Sequence, residues 1–282
     1  MPVTMSLLDS ILNLVGLLFW IHGRAASFRG GGAPARLSLI SALKRTGPSS
    51  ARWLSFGALA GLILLRALFY WHIGAPMDWQ PRISMAAIVL TFRSDLFLRM
   101  LLYSILSFAF TLLLFYFWLL LLSMVNSRIS NSDPLQKLVR QHLGWLDNLP
   151  LVLKIFLPPV IAAVCWAAFH PLLARAGIVP AVSTANLIEQ SIIIGTAAYL
   201  TWKYLIAIVL VVFVLGSYVY LGHWHLWTYL NVTAKTLLRP LGGRLRLARV
   251  DFAPIAVIAL VFFLAELAEK GLAALYKYRC LR

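Results

Sequence analysis

Six stretches of the chain are apolar enough and long enough to suggest helices in a membrane: Leu7–Trp20, Trp53–Ile73, Phe97–Val125, Leu151–Leu173, Ile192–Leu221 and Phe252–Leu275. Crossing about 30 Å of hydrocarbon takes about 20 apolar residues, since each residue of a helix adds about 1.5 Å. The pattern therefore predicts an all-α, polytopic membrane protein of about six spans. The first stretch is short and reads as ending at His22-Gly23-Arg24. It carries Asp9 and has no Lys or Arg before it, the reverse of a secretory signal, so it reads as an uncleaved anchor. Two stretches are irregular. The fourth has Lys154 near its start and Pro158-Pro159 in its body; the sixth has Glu266, Glu269 and Lys270, which leave a clean apolar run of only Ala253 to Ala265. Both read as kinked, tilted or re-entrant helices, tolerated where protein covers the freed backbone groups.

Composition agrees with the pattern. The chain is 61% hydrophobic and 12% charged, against about 45–50% and about 25% in soluble domains. No water-soluble globule hides that much apolar surface, which excludes disordered, collagen-like and cytosolic classes. The net charge of +16 would point to nucleic acid in a soluble protein, but here its distribution gives a different reason. Arg24, Arg29, Arg36, Lys44, Arg45 and Arg52 lie between the first two spans, with no acid among them. Arg128, Lys137 and Arg140 follow the third span, and Lys235, Arg239, Arg244, Arg246 and Arg249 follow the fifth. Segments 74–91 and 179–190 hold one base between them, Arg82. By the positive-inside rule the N-terminus is outside, in a bacterial inner membrane, and the C-terminus is outside too if every span crosses. The basic tail Lys277, Arg279 and Arg282 pulls the other way. With leucines at 237, 238, 241, 245 and 247, the basic stretch Lys235–Arg249 is expected to lie flat on anionic headgroups, each base adding about 1 kcal/mol. The partners expected are the bilayer and other integral membrane proteins, not nucleic acid.

Charges inside spans are functional candidates by default. Arg66 sits in the middle of the second span, with Glu266 or another subunit's carboxylate as its expected partner, and Lys203 is expected to snorkel outward beside Tyr199, Trp202 and Tyr204. Two cysteines, Cys165 and Cys280, make no disulfide framework. A haem held between helices needs two histidines at one depth, and only His72 with His170 fits that arithmetic. No nucleophile–base set, phosphate loop, paired catalytic carboxylates or CxxC occurs, so neither enzyme activity, cofactor nor metal is expected. The aromatic run of the third span, from Phe108 to Trp118, reads as a lipid or partner-helix face.

A weak repeat runs through the C-terminal two-thirds. Asn126, Pro134-Leu135, Gly144 and Asp147-Asn148-Leu149-Pro150 after the third span are matched by Asn231, Pro240-Leu241, Gly242-Gly243 and Asp251-Phe252-Ala253-Pro254 after the fifth. Pro134 precedes Asp147 by 13 positions and Pro240 precedes Asp251 by 11. Asp147 and Asp251 are expected to cap the helices that follow, with Pro150 and Pro254 in their first turns. The repeats span about 97–175 and 190–278; residues 1–96 form an N-terminal two-span extension with a basic cytoplasmic loop, and residues 97–282 the repeat domain. The stretch Leu238-Arg239-Pro240-Leu241-Gly242-Gly243 with Asp251-Phe252-Ala253-Pro254-Ile255 resembles the signature of the YggT family, which has plastid-encoded relatives. The resemblance implies two tandem helix–loop–helix units and a non-catalytic envelope protein tied to assembly of membrane complexes. The expectation is an accessory or assembly subunit of a larger membrane complex. The alternative is a small transporter or osmotic-response channel with a polar path built from Arg66, Lys203, Glu266 and the Pro158-Pro159 break.

Overall fold

A computed structural model describes residues 2–29, 48–74, 76, 79–85, 88–127, 133–218, 225–239, 246–247 and 250–280. The chain is an all-α membrane protein. Its helices are α1 (Pro2–Arg29), α2 (Pro48–Gly74), α3 (Phe97–Val125), α4 (Pro134–Leu143), α5 (Leu151–Arg175), α6 (Thr184–Ala197), α7 (Trp202–Tyr218), α8 (His225–Leu238) and α9 (Ala253–Cys280). Short strands β1 (Arg82–Met85) and β2 (Ile88–Thr91) pair, as do β3 (Arg246–Leu247) and β4 (Val250–Asp251). Among the described residues, α1, α2, α3, α5 and the segment Thr184–Tyr218 are long and apolar enough to cross a membrane. The sixth expected span, α9, has the length, but three charges interrupt its apolar run.

The helices gather into two compact units, Met1–Ile83 with Thr91–Leu113, and Ser84–Leu90 with Leu114–Arg282. α3 gives Phe97–Leu113 to the first unit and Leu114–Val125 to the second. In the first unit, α1 runs straight through the glycine expected to end it. Gly23 packs on α2 instead, where a Cβ would meet Phe56 and Ser55 at 3.2 and 3.3 Å. One side of α1 is thereby bare enough for helices to approach closely: at Gly16 a Cβ would stand 2.9 Å from the Phe108 ring.

In the second unit α4 is amphipathic, burying Gln136, Val139, His142 and Leu143. Asp133 caps it, its carboxylate accepting from the backbone N–H of Leu135 (2.9 Å) and Gln136 (3.3 Å), and Pro134 fills the first position, where no N–H is needed. Gly144 ends the helix at φ 58°, a backbone region costly for other residues. A 3₁₀ turn, Gly144–Asn148, leads to α5. α5 continues through Pro158 and Pro159. A proline removes the N–H that would reach the carbonyl four residues earlier. For Pro159 that carbonyl belongs to Ile155, and the Tyr199 hydroxyl donates to it at 2.8 Å. The fifth span begins at Thr184, eight residues before its apolar run, because Ser183 caps α6 through the Asn186 N–H. The 3₁₀ turn Ala198–Thr201 divides that span. There the Trp118 indole donates to the Thr201 carbonyl and the Trp202 indole to the Phe117 carbonyl, both at 3.2 Å. Leu205, Val209 and Leu210 of α7 with Ala234 of α8 form a core against Trp118, Leu121 and Leu122.

Candidate functional site

Each unit holds a buried polar cluster at its centre. In the first, α1 contributes Asp9 and Asn13, one turn apart on one face; α2 contributes Arg66 and Tyr70; α3 contributes Tyr103 and Ser107. Arg66, 4% exposed, pairs with the Asp9 carboxylate and donates to Asn13 Oδ1 at 2.7 Å. Asp9 also accepts from the Tyr70 hydroxyl at 3.1 Å and from Ser107 Oγ at 3.2 Å, and Asn13 Nδ2 donates to Ser107 Oγ at 2.9 Å. The guanidinium lies 5.4 Å from the Tyr70 ring centre and 5.5 Å from that of Tyr103, within cation–π range. Trp79 and Phe92 pack around these rings. One cation and one anion meet, so the cluster is electrically neutral, although the Arg66 Nε is buried without a hydrogen-bond partner. The partner of Arg66 is therefore Asp9 and not the expected Glu266, which pairs with Lys270 at 2.8 Å on α9. The sequence does carry a signal for this pair, since α1 holds one acid and α2 one mid-span base, and the two helices are consecutive.

In the second unit, Asp147 stands in the 3₁₀ turn. It accepts from Ser123 Oγ and pairs with Lys154 and Arg140, each at 3.4 Å. Lys154 Nζ also donates to Ser123 Oγ at 2.9 Å. Asp147 is therefore an ion-pair partner for the base seven residues on, not the expected cap. Pro150 occupies the capping position of α5, just before its first turn, with no side-chain cap bond. Beside this group, Asn126 and Gln136 are fully buried against α8: Asn126 Nδ2 donates to Thr233 Oγ1 at 2.8 Å, and the Tyr229 hydroxyl donates to Gln136 Oε1 at 3.0 Å. Burial pushes the Tyr229 hydroxyl up to about 12.

The remaining expected residues are spread along the chain. Pro134 opens α4 and Pro254 lies in the first turn of α9. Asp251 stands in β4, opposite Arg246, and Phe252 takes the position before α9, its carbonyl accepting from the Ala256 N–H. Asn231, expected at the end of a span, lies within α8. Pro240, Gly242, Gly243, Arg244 and Arg249 lie outside the described residues. Lys235 and Arg239 are exposed, one in the last turn of α8 and the other just after it. Among the described residues of 235–251, α8 ends at Leu238 and the strands Arg246–Leu247 and Val250–Asp251 pair. Lys203 does not snorkel free: it pairs with Glu269 at 3.4 Å and lies 5.2 Å from the Tyr204 ring centre. His170 is buried against Trp166, whereas His72 is exposed. No protein-family model matches the chain, and neither a curated protein nor a solved structure matches it.

Proposed function

We propose that the protein works by binding: a non-catalytic accessory or assembly subunit of a larger membrane complex, placed in a bacterial inner membrane with its N-terminus outside. The observation that carries this reading is the pairing of the deep cations. Arg66 is matched by Asp9, Lys154 by Asp147 and Lys203 by Glu269. A transporter's polar path needs charges or polar groups free to meet a solute, and intramembrane charges that lack that role pair with one another. Here the first pair ties α2 to α1 and the third α7 to α9, while Lys154 reaches α3 through Ser123 Oγ. A long span, a short helix and a long helix follow one another twice, as α3, α4 and α5 and again as the span Thr184–Tyr218, α8 and α9. This order supports the tandem arrangement that the YggT-like stretch at 238–255 suggests. The basic loops between spans support the orientation, and exposed Lys235 and Arg239 suit an anionic inner leaflet. Extraction from native membranes in mild detergent, followed by native sizing and mass spectrometry, tests the reading. Stoichiometric co-migration with a second integral membrane protein is the expected result; a protein that migrates alone overturns it.

A further inference from the structure

Helix α9 buries one face, through Ala253, Ala265 and Leu272, and exposes most of the remainder. On the opposite face Ala256, Ala259, Phe263, Glu266, Lys270 and Ala273 follow one another at spacings of 3, 4, 3, 4 and 3, and each is exposed. That alternation is the 3.5-residue seam along which two helices pack side by side. Three of the six are alanines, which allow close approach between membrane helices.

The depth of this seam follows from one contact. Glu269 pairs with Lys203, and Lys203 lies near the middle of the 35-residue span Thr184–Tyr218. It is 19 residues from Thr184 and 15 from Tyr218, or about 29 and 23 Å at about 1.5 Å per residue. Glu269, and with it the neighbouring Glu266 and Lys270, is therefore held inside the hydrocarbon. The side chains of Glu266 and Lys270 are nevertheless 66% and 73% exposed. Charges at that depth face protein or water, not acyl chains.

We infer that this face of α9 is covered by α9 of a second copy of the same chain. Its charges are self-complementary: one acid and one base, a turn apart, sum to zero. Copies of one chain insert with one orientation, so a two-fold axis along the membrane normal sets the two helices parallel and at equal depth. Glu266 of each copy then reaches Lys270 of the other, an offset of one turn, and both pairs turn inward from lipid. A different partner would need opposite charges placed at this same depth. The proposal stands apart from the function proposed above, since a self-associating chain can bind a further partner or none.

Disulfide cross-linking in native membranes tests it. In a Cys165→Ser, Cys280→Ser background, Phe263→Cys on the seam is oxidised and compared with Leu264→Cys, an exposed position off the seam. The expected result is a band at twice the 31.5 kDa chain mass for Phe263→Cys and its loss for Leu264→Cys. Adding Glu266→Lys to the seam variant should remove the band, and adding Lys270→Glu as well should restore it. A Phe263→Cys protein that stays monomeric, that joins a different protein, or that cross-links no better than Leu264→Cys overturns the inference without requiring either charge variant to fold.

Discussion

Asp9 and Arg66 show what one pair of residues does where water is absent. Removing one partner of a buried pair leaves an uncompensated charge and costs about 3–5 kcal/mol, whereas replacing both is far cheaper. Asp9→Asn is accordingly expected to lower the unfolding midpoint of the detergent-solubilised protein sharply, and Asp9→Asn with Arg66→Gln to recover at least half of that loss. Equal losses in the single and double variants would show that the pair is not the link between α1 and α2. Tyr229 gives a test in alkali. Its folded-state pKa, about 12, lies above the unfolded value of about 10, so its neutral form is favoured by folding. That contribution is complete below about pH 10 and is lost as the pH rises through about 12. Tyr229→Phe removes the hydrogen bond to Gln136, so the wild-type margin over it should hold at neutral pH and vanish in that alkaline window. A margin that persists through pH 12 contradicts the assignment.

At the scale of elements, glycines separate close packing from mere tolerance. A Cβ on Gly195 would stand 2.5 Å from the Pro159 carbonyl oxygen, so α5 and α6 meet there backbone to backbone. Gly57 and Gly61 of α2 have nothing within 4 Å. Gly195→Ala should destabilise by about 1–3 kcal/mol through overpacking. Gly61→Ala should be neutral or stabilising by up to about 1 kcal/mol, since alanine is the better helix former. Thermal unfolding of the two variants side by side checks this, and the reverse order would refute the packing. The elements themselves were largely legible: the mainly apolar run Phe97–Val125 coincides with α3, and Leu151 opens α5 as its pattern required. Element ends were legible only where a cap has a local code. Asp133-Pro134 followed by Gln136 carries one that apolarity alone does not reveal, and the Ser183 cap extended the fifth span for the same reason. Gly23 carries no such code, because a glycine that ends a helix and one that admits a neighbouring helix look alike in sequence. Pairings such as Asp9 with Arg66 or Asp147 with Lys154 depend on which faces meet, which periodicity does not encode.

For the molecule as a whole, two neutral or nearly neutral polar centres, each inside its own unit, fit a protein whose charges hold its spans together. The exposed charges of α9 are the exception, and they carry the prediction about self-association. Glu266, Glu269 and Lys270 interrupt the apolar run of α9, and the Lys203–Glu269 contact ties that run to a residue near the middle of a span. The sequence held the charges but not the depth at which they meet. The most direct test of the binding reading is the intact mass, by native mass spectrometry, of whatever complex this chain leaves the membrane in. The account predicts an assembly that contains two 31.5 kDa copies together with another integral membrane protein. Two copies alone would contradict the subunit role while keeping the α9 seam, and a single 31.5 kDa chain would contradict both.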